Sequence, residues 1–131
     1  MILLDTHVLY WAAADPRRLS RRAATVIQRA ALRAGVFVGS VTLYELAGML
    51  RRGLIRAAVP PRAAVESILH AVRSGVLEIT AEVAVLAQQL PDEFPRDPMD
   101  RLITATALAR GLSLVTKDQR IIESRVVDTI W

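Results

Sequence analysis

Five carboxylates stand where a chain could assemble chemistry: Asp5, Glu45, Asp97, Asp100 and Asp118. Asp5 ends the apolar run Met1–Leu4. Glu45 lies one helical turn into the segment after Val36–Gly39. Asp97 and Asp100 fall in the first turn of a helical segment that leads to the apolar run Leu112–Val115, and Asp118 lies just beyond that run. Capping accounts for each acid alone. Asp5, Asp97 and Asp118 suit helix N-caps, Asp100 suits the positive end of a helix dipole, and Glu45 three residues after Thr42 fits a capping box. Capping does not account for acid at several junctions on one end of a sheet. Carboxylates gathered there repel and raise one another's pKa values, and divalent cations relieve that repulsion. An all-oxygen donor set suits Mg²⁺ or Mn²⁺. An acidic pocket on a basic protein is what metal-dependent chemistry on a phosphodiester requires.

The elements that must position these acids alternate. The pattern predicts strands at Met1–Leu4, Val36–Gly39, Val76–Thr80, Leu112–Val115 and Val126–Trp131. Helices are expected over Thr6–Ala14, from the Ser20 cap to about Arg33, from Thr42 to about Arg52, from Pro60-Pro61 to Ser74, over Ala81–Leu90, from Asp97 to Gly111, and as a short turn over Gln119–Glu123. The glycines at 35, 53, 75 and 111 read as stops. Short apolar strands separated by helices imply an α/β chain with a parallel sheet covered on both faces. Ligands in such sheets sit beyond the carboxyl ends of the strands, at a switch point.

Composition narrows the classes. With 131 residues, 53% of them apolar and 23% charged, the chain reads as one folded domain over residues 1–131. It contains no cysteine, which excludes disulfides, Cys-ligated zinc and thiol chemistry. Net charge is +4, and Lys117 is the sole lysine among 17 basic residues. The arginine excess fits compositional bias, since 20 alanines accompany it; the positive sign still favours a polyanionic partner. No apolar stretch is long enough to span a membrane, and the N-terminus lacks a signal-peptide pattern, so a cytoplasmic protein is expected.

Four segments together resemble one family. Met1-Ile-Leu-Leu-Asp5-Thr6-His7-Val8-Leu9, Ser40-Val41-Thr42-Leu43-Tyr44-Glu45-Leu46, Arg96-Asp97-Pro98-Met99-Asp100-Arg101-Leu102-Ile103 and Leu114-Val115-Thr116-Lys117-Asp118 are similar, in order and spacing, to the motifs of PIN-domain proteins. The length and order resemble the VapC-type toxins of toxin–antitoxin pairs, over essentially the whole chain. The resemblance implies a PIN-like three-layer α/β/α sandwich with a central mainly parallel sheet. It implies a Mg²⁺- or Mn²⁺-dependent endoribonuclease that leaves a 5′-phosphate and a 3′-hydroxyl. It carries the catalytic and metal-binding acids onto Asp5, Glu45, Asp100 and Asp118, with Asp97 as a further candidate ligand. Thr6 and Thr116 match positions that steady the acids or touch phosphate. It also implies RNA as substrate, a small antitoxin laid across the site as partner, and a homodimer.

The remaining residues are read more plainly. His7 and His70 are not expected to form a catalytic pair. Of Leu9, Tyr10 and Trp11, two are expected in the core, and the third is a candidate for a partner groove. Arg17, Arg18, Arg21 and Arg22 form a basic cluster, either a solvated face or a phosphate contact. The alternative function is a catalytically weak PIN-like module that binds RNA or protein. A flavodoxin-like phosphoacceptor is disfavoured, because Asp5 has no acidic neighbour and Val76–Thr80 ends without Asp. A phosphomonoester hydrolase is disfavoured, because Asp5-Thr6-His7 lacks a second acid two residues on.

Overall fold

The computed structural model describes the whole chain, residues 1–131. In chain order it runs β1 (Ile2–Leu4), α1 (Thr6–Ala14), a 3₁₀ turn (Pro16–Arg18), α2 (Arg21–Ala31), β2 (Val36–Gly39), α3 (Ser40–Arg51), α4 (Pro61–Val72), β3 (Gly75–Leu77), α5 (Ala81–Gln89), α6 (Pro98–Arg110), β4 (Ser113–Val115), α7 (Gln119–Ser124) and β5 (Thr129–Ile130). The strands form one sheet in the order β3-β2-β1-β4-β5. Every pairing is parallel, with Leu3 beside Phe37 of β2 and Leu114 of β4. No helix is long and apolar enough to cross a membrane.

Side chains alternate across a strand, so a strand covered on both faces feeds two cores. Ile2, Leu4, Val36, Val38 and Val115 pack with Val8, Leu9, Ile27, Leu46 and Met49 on one face. Leu3 and Leu114 pack on the other with Phe94, Ile103, Ala107 and Ile121. Both faces are therefore apolar, and the three-layer sandwich follows. Leu9 and Trp11 lie in the interior, and Tyr10 is half-buried, as expected for two of the three.

Most boundaries follow the local chemistry. The Ser20 hydroxyl accepts from the Ala23 amide at 3.0 Å, and Gly111 closes α6 in the left-handed conformation, φ 61°. Several boundaries differ from expectation: β3 is Gly75–Leu77 rather than Val76–Thr80, β5 is Thr129–Ile130 rather than Val126–Trp131, and the ends of α2 and α4 and the start of α3 shift by about two residues. Helix α4 ends on Arg73, itself left-handed at φ 54°, while Gly75 opens β3. A Cβ on Gly75 would meet the Phe37 ring at 2.9 Å, so glycine is required there by the neighbouring strand rather than by a helix stop. Helix α3 begins at Ser40, with Gly39 as its N-cap and no side-chain cap bond. Thr42 and Glu45 are therefore inside the helix, and they do not form a capping box.

The central sheet sets the stability. Leu114 is fully buried in β4. Leu114→Ala should cost about 2–5 kcal/mol. Urea denaturation should show a lower midpoint with an unchanged slope.

Candidate functional site

Strand β1 sits at the sheet centre, with β2 on one side and β4 on the other. The carboxyl ends of β1 and β4 thus flank the switch point. The Asp5 amide donates to the Val115 carbonyl at 3.0 Å, which carries the pairing one residue past β1. This sets the Asp5 side chain against Thr116, whose hydroxyl donates to Asp5 Oδ2 at 2.7 Å; the Thr6 amide donates to Oδ1 at 2.7 Å. Thr116 Oγ1 also accepts from the Asp118 amide at 3.0 Å. One buried hydroxyl therefore fixes two of the five acids.

The early start of α3 places Glu45 for a different bond. The Thr6 hydroxyl donates to Glu45 Oε1 at 2.6 Å and lies 3.2 Å from the Thr42 hydroxyl. Thr6, Thr42 and Thr116 are all buried. The sequence reading singled out Thr6 and Thr116 but treated Thr42 as a cap; its place on the same helical face as Glu45 was the available signal.

Capping is observed for three acids. Asp5 caps α1, Asp97 accepts from the Met99 amide at 2.8 Å, and Asp118 accepts from the Arg120 amide at 2.9 Å. Asp100 has no such donor. Its one protein contact is the Arg120 guanidinium at 3.4 Å, which lies closer, at 2.6 Å, to Asp118. Arg120 is largely exposed, whereas the two carboxylates are mostly covered.

All five acids line one cleft of about 380 Å³, together with His7, Trp11, Lys117 and Arg120. Burial pushes the Asp5 and Glu45 carboxyls up from their ordinary values, against the hydrogen bonds from Thr116 and Thr6. Burial, with repulsion from Asp97, Asp5 and Asp118, raises Asp100 to about 7. The hydrogen bond from Arg120 holds Asp118 below its ordinary value. Arg120, Lys117 and His7 were not singled out as site residues. Their signal was adjacency: Lys117 precedes Asp118, Arg120 follows it by two, and His7 follows Asp5 by two. Lys117 Nζ lies 5.8 Å from the Trp11 ring centroid and 6.0 Å from that of Trp131. His70 is exposed on α4 and does not line the cleft. Arg17 pairs with Asp15, Arg18 stacks on Trp11, and Arg21 and Arg22 are exposed at the start of α2; none lines the cleft.

The donor chemistry suits a hard divalent cation: the acids offer only oxygen, and they repel one another where they stand. The buried Thr104 hydroxyl, one turn after Asp100 on α6, has no protein partner. In this arrangement no three acidic or histidine side chains close on one point. The Arg120 guanidinium supplies the positive charge between Asp100 and Asp118.

The PIN-domain family model matches residues 2–126. The chain is 42% identical to Ribonuclease VapC22 of Mycobacterium tuberculosis over 120 residues, 92% of this chain and 88% of that protein. Its fold is similar to a chain of the Rickettsia felis VapBC2 structure bound to a promoter DNA fragment, with a TM-score of 0.72 and 17% identity over 99% of this chain and 98% of the other. It is also similar to a chain of DNA-bound VapBC from Salmonella typhimurium, with a TM-score of 0.71 and 22% identity over 99% and 98%.

The raised Asp100 carboxyl has a consequence for stability. The folded state keeps its proton up to about pH 7, while the unfolded chain loses it near the ordinary carboxylate value of 3.8. Stability therefore falls as pH rises through that window. Asp100→Asn, in EDTA, should raise the melting temperature at pH 8 and leave it nearly unchanged near pH 4. Equal effects at both pH values would mean that Asp100 carries no such repulsion.

Proposed function

The chain belongs to the PIN-domain family, and from that premise we propose that it is a metal-dependent endoribonuclease toxin, a single domain over residues 1–131, neutralised by a cognate antitoxin. The observation that carries the proposal is Asp100, a half-buried acid among four others, with no hydrogen-bond donor except a distant arginine. A carboxylate kept at such cost to its ionised form is a functional candidate. The 42% identity to a ribonuclease supports RNA as the substrate. The fold shared with VapBC toxin–antitoxin complexes supports a small protein partner. A cytoplasmic, homodimeric protein fits the same reading.

In this proposal Asp5, Glu45, Asp100 and Asp118 hold Mg²⁺ or Mn²⁺, with Asp97 as a further ligand. When bound, such an ion neutralises the scissile phosphate and lowers the pKa of a water for in-line attack. Thr116 and Thr6 aim the Asp5 and Glu45 carboxylates by donating to them, and those bonds oppose part of the rise that burial imposes. Asp118 is already ionised because Arg120 bonds it. Asp100 must shed its proton before it can act as a ligand. Cleavage should therefore rise with pH up to about 7, with the metal shifting the rise lower.

The alternative, a catalytically weak module that binds RNA or protein, rests on the open arrangement of the acids. A cleavage assay separates the two. Partner-free protein is incubated with total RNA in Mg²⁺, in Mn²⁺ and in EDTA, beside Asp100→Asn. The nuclease reading expects metal-dependent cleavage by wild type and a loss of at least about a hundredfold in the variant, the scale of removing a metal-held catalytic group. Binding without cleavage in either metal would favour the alternative. Equal cleavage by both proteins would remove Asp100 from the site.

A further inference from the structure

Asp100 is followed by an arginine that touches no acid. Arg101 closes the first turn of α6, is half-buried, and forms no ion pair. A cation there stands near the positive end of its own helix, the less favourable end for it. Its side chain turns back instead onto residues 87–95, at the end of α5 and in the loop beyond. Nε donates to the Pro95 carbonyl at 3.0 Å. Nη1 donates to the Ala87 and Leu90 carbonyls at 3.3 and 3.4 Å, and Nη2 to the Pro91 and Phe94 carbonyls at 3.2 and 3.3 Å. A guanidinium carries five N–H donors, and five carbonyls answer them here.

The geometry points to Arg101 as a positioning residue: it fixes the loop that launches α6, and so holds Asp97 and Asp100 in place opposite Asp5 and Asp118. The inference rests on the metal-dependent reading above and adds to it the residue that sets two of the acids. Arg101 does not line the cleft, so it acts through those acids and not on the substrate.

The loop has almost no other hold. Residues 91–96 belong to no helix or strand, and their one backbone–backbone hydrogen bond runs from the Phe94 amide to the Pro91 carbonyl. Their remaining hydrogen bonds are those of Arg101. The Phe94 ring, 5.9 Å from the guanidinium carbon, is buried against Ile103 and Ile121 and ties the loop to the core. Ala87 and Leu90 lie in the last turn of α5 and at its cap. Carbonyls there have no partner within the helix, and a cation suits that negative end.

The same residue grips the chain beyond the loop. The Arg101 amide donates to the Asp97 carbonyl at 3.1 Å, while the Asp97 carboxylate caps α6. Backbone and side chain of Arg101 thus hold both sides of Asp97, and Asp100 rides on the same turn. Asp5 and Glu45 are aimed by threonine hydroxyls, whereas Asp100 accepts no close bond. Its placement depends on where α6 begins. Lysine cannot substitute, because one ammonium with three donors cannot meet carbonyls arrayed around a planar fork.

The test uses the full chain, free of any partner. Mn²⁺ affinity is read from the loss of the free-ion EPR signal, and cleavage of a labelled RNA gives kcat and KM. Arg101→Lys should weaken Mn²⁺ binding and lower kcat by about ten- to a hundredfold, the scale of losing a group that orients metal ligands. KM for RNA should stay nearly unchanged. Leu114→Ala, destabilised in the sheet, should keep wild-type Mn²⁺ affinity while folded. Millimolar ethylguanidinium should restore Mn²⁺ binding to Arg101→Ala and do nothing for Leu114→Ala. In metal-free protein, amide exchange in Arg101→Lys should quicken over residues 91–100 and not in β1 or β4. If Arg101→Ala does not fold, Arg101→Lys carries the test. Wild-type Mn²⁺ affinity and kcat in Arg101→Lys would overturn the inference, as would exchange that quickens equally in the sheet. Wild type that binds Mn²⁺ and never cleaves would overturn the nuclease reading alone, since affinity and exchange still decide the role of Arg101. Wild type that neither binds Mn²⁺ nor cleaves would overturn both.

Discussion

The bond from the Thr116 hydroxyl to the Asp5 carboxylate joins residues 111 positions apart in sequence. It closes the gap beyond the carboxyl ends of β1 and β4. Its two partners are neighbours only because those strands pair in parallel at the sheet centre. The same hydroxyl accepts from the Asp118 amide, and Asp5 also caps α1, whose first residue, Thr6, reaches across to Glu45. The acids are thus set by a chain of short bonds whose origin is strand order. Loss of the β1–β4 register would scatter them, whatever their own identities.

Much of this was legible in the sequence because the apolar runs and the acids fall at the same junctions. Strand β2 and helix α1 have the expected bounds, since an apolar run ends at Gly39 and Asp15-Pro16 cannot continue a helix. Gly75 misled, because a glycine demanded by a ring on the next strand looks, in one dimension, the same as a helix stop. Thr42-x-x-Glu45 misled in the same way: it has capping-box spacing, yet both side chains serve a residue 36 or 39 positions away. Tertiary bonds of that range leave no local pattern. For the same reason Arg120 could not be placed from sequence. Its position two residues after Asp118 permits a contact, but its reach to Asp100 depends on how α7 sits beside α6.

A net charge of +4 and a cleft with five acids make opposite demands on a polyanion. The conflict is resolved by distance. Screening confines each charge to roughly 8 Å at physiological salt, so the net positive charge and the acidic cleft act over separate ranges. Inside the cleft the balance reverses, and local cations must answer the acids one by one. Arg120 does so for Asp118, whose carboxyl it holds ionised, and only weakly for Asp100, whose carboxyl stays near 7. Burial raises Asp5 and Glu45 as well, but each accepts a threonine hydroxyl bond; Asp100, on α6, is the acid with no cap to make and no close donor.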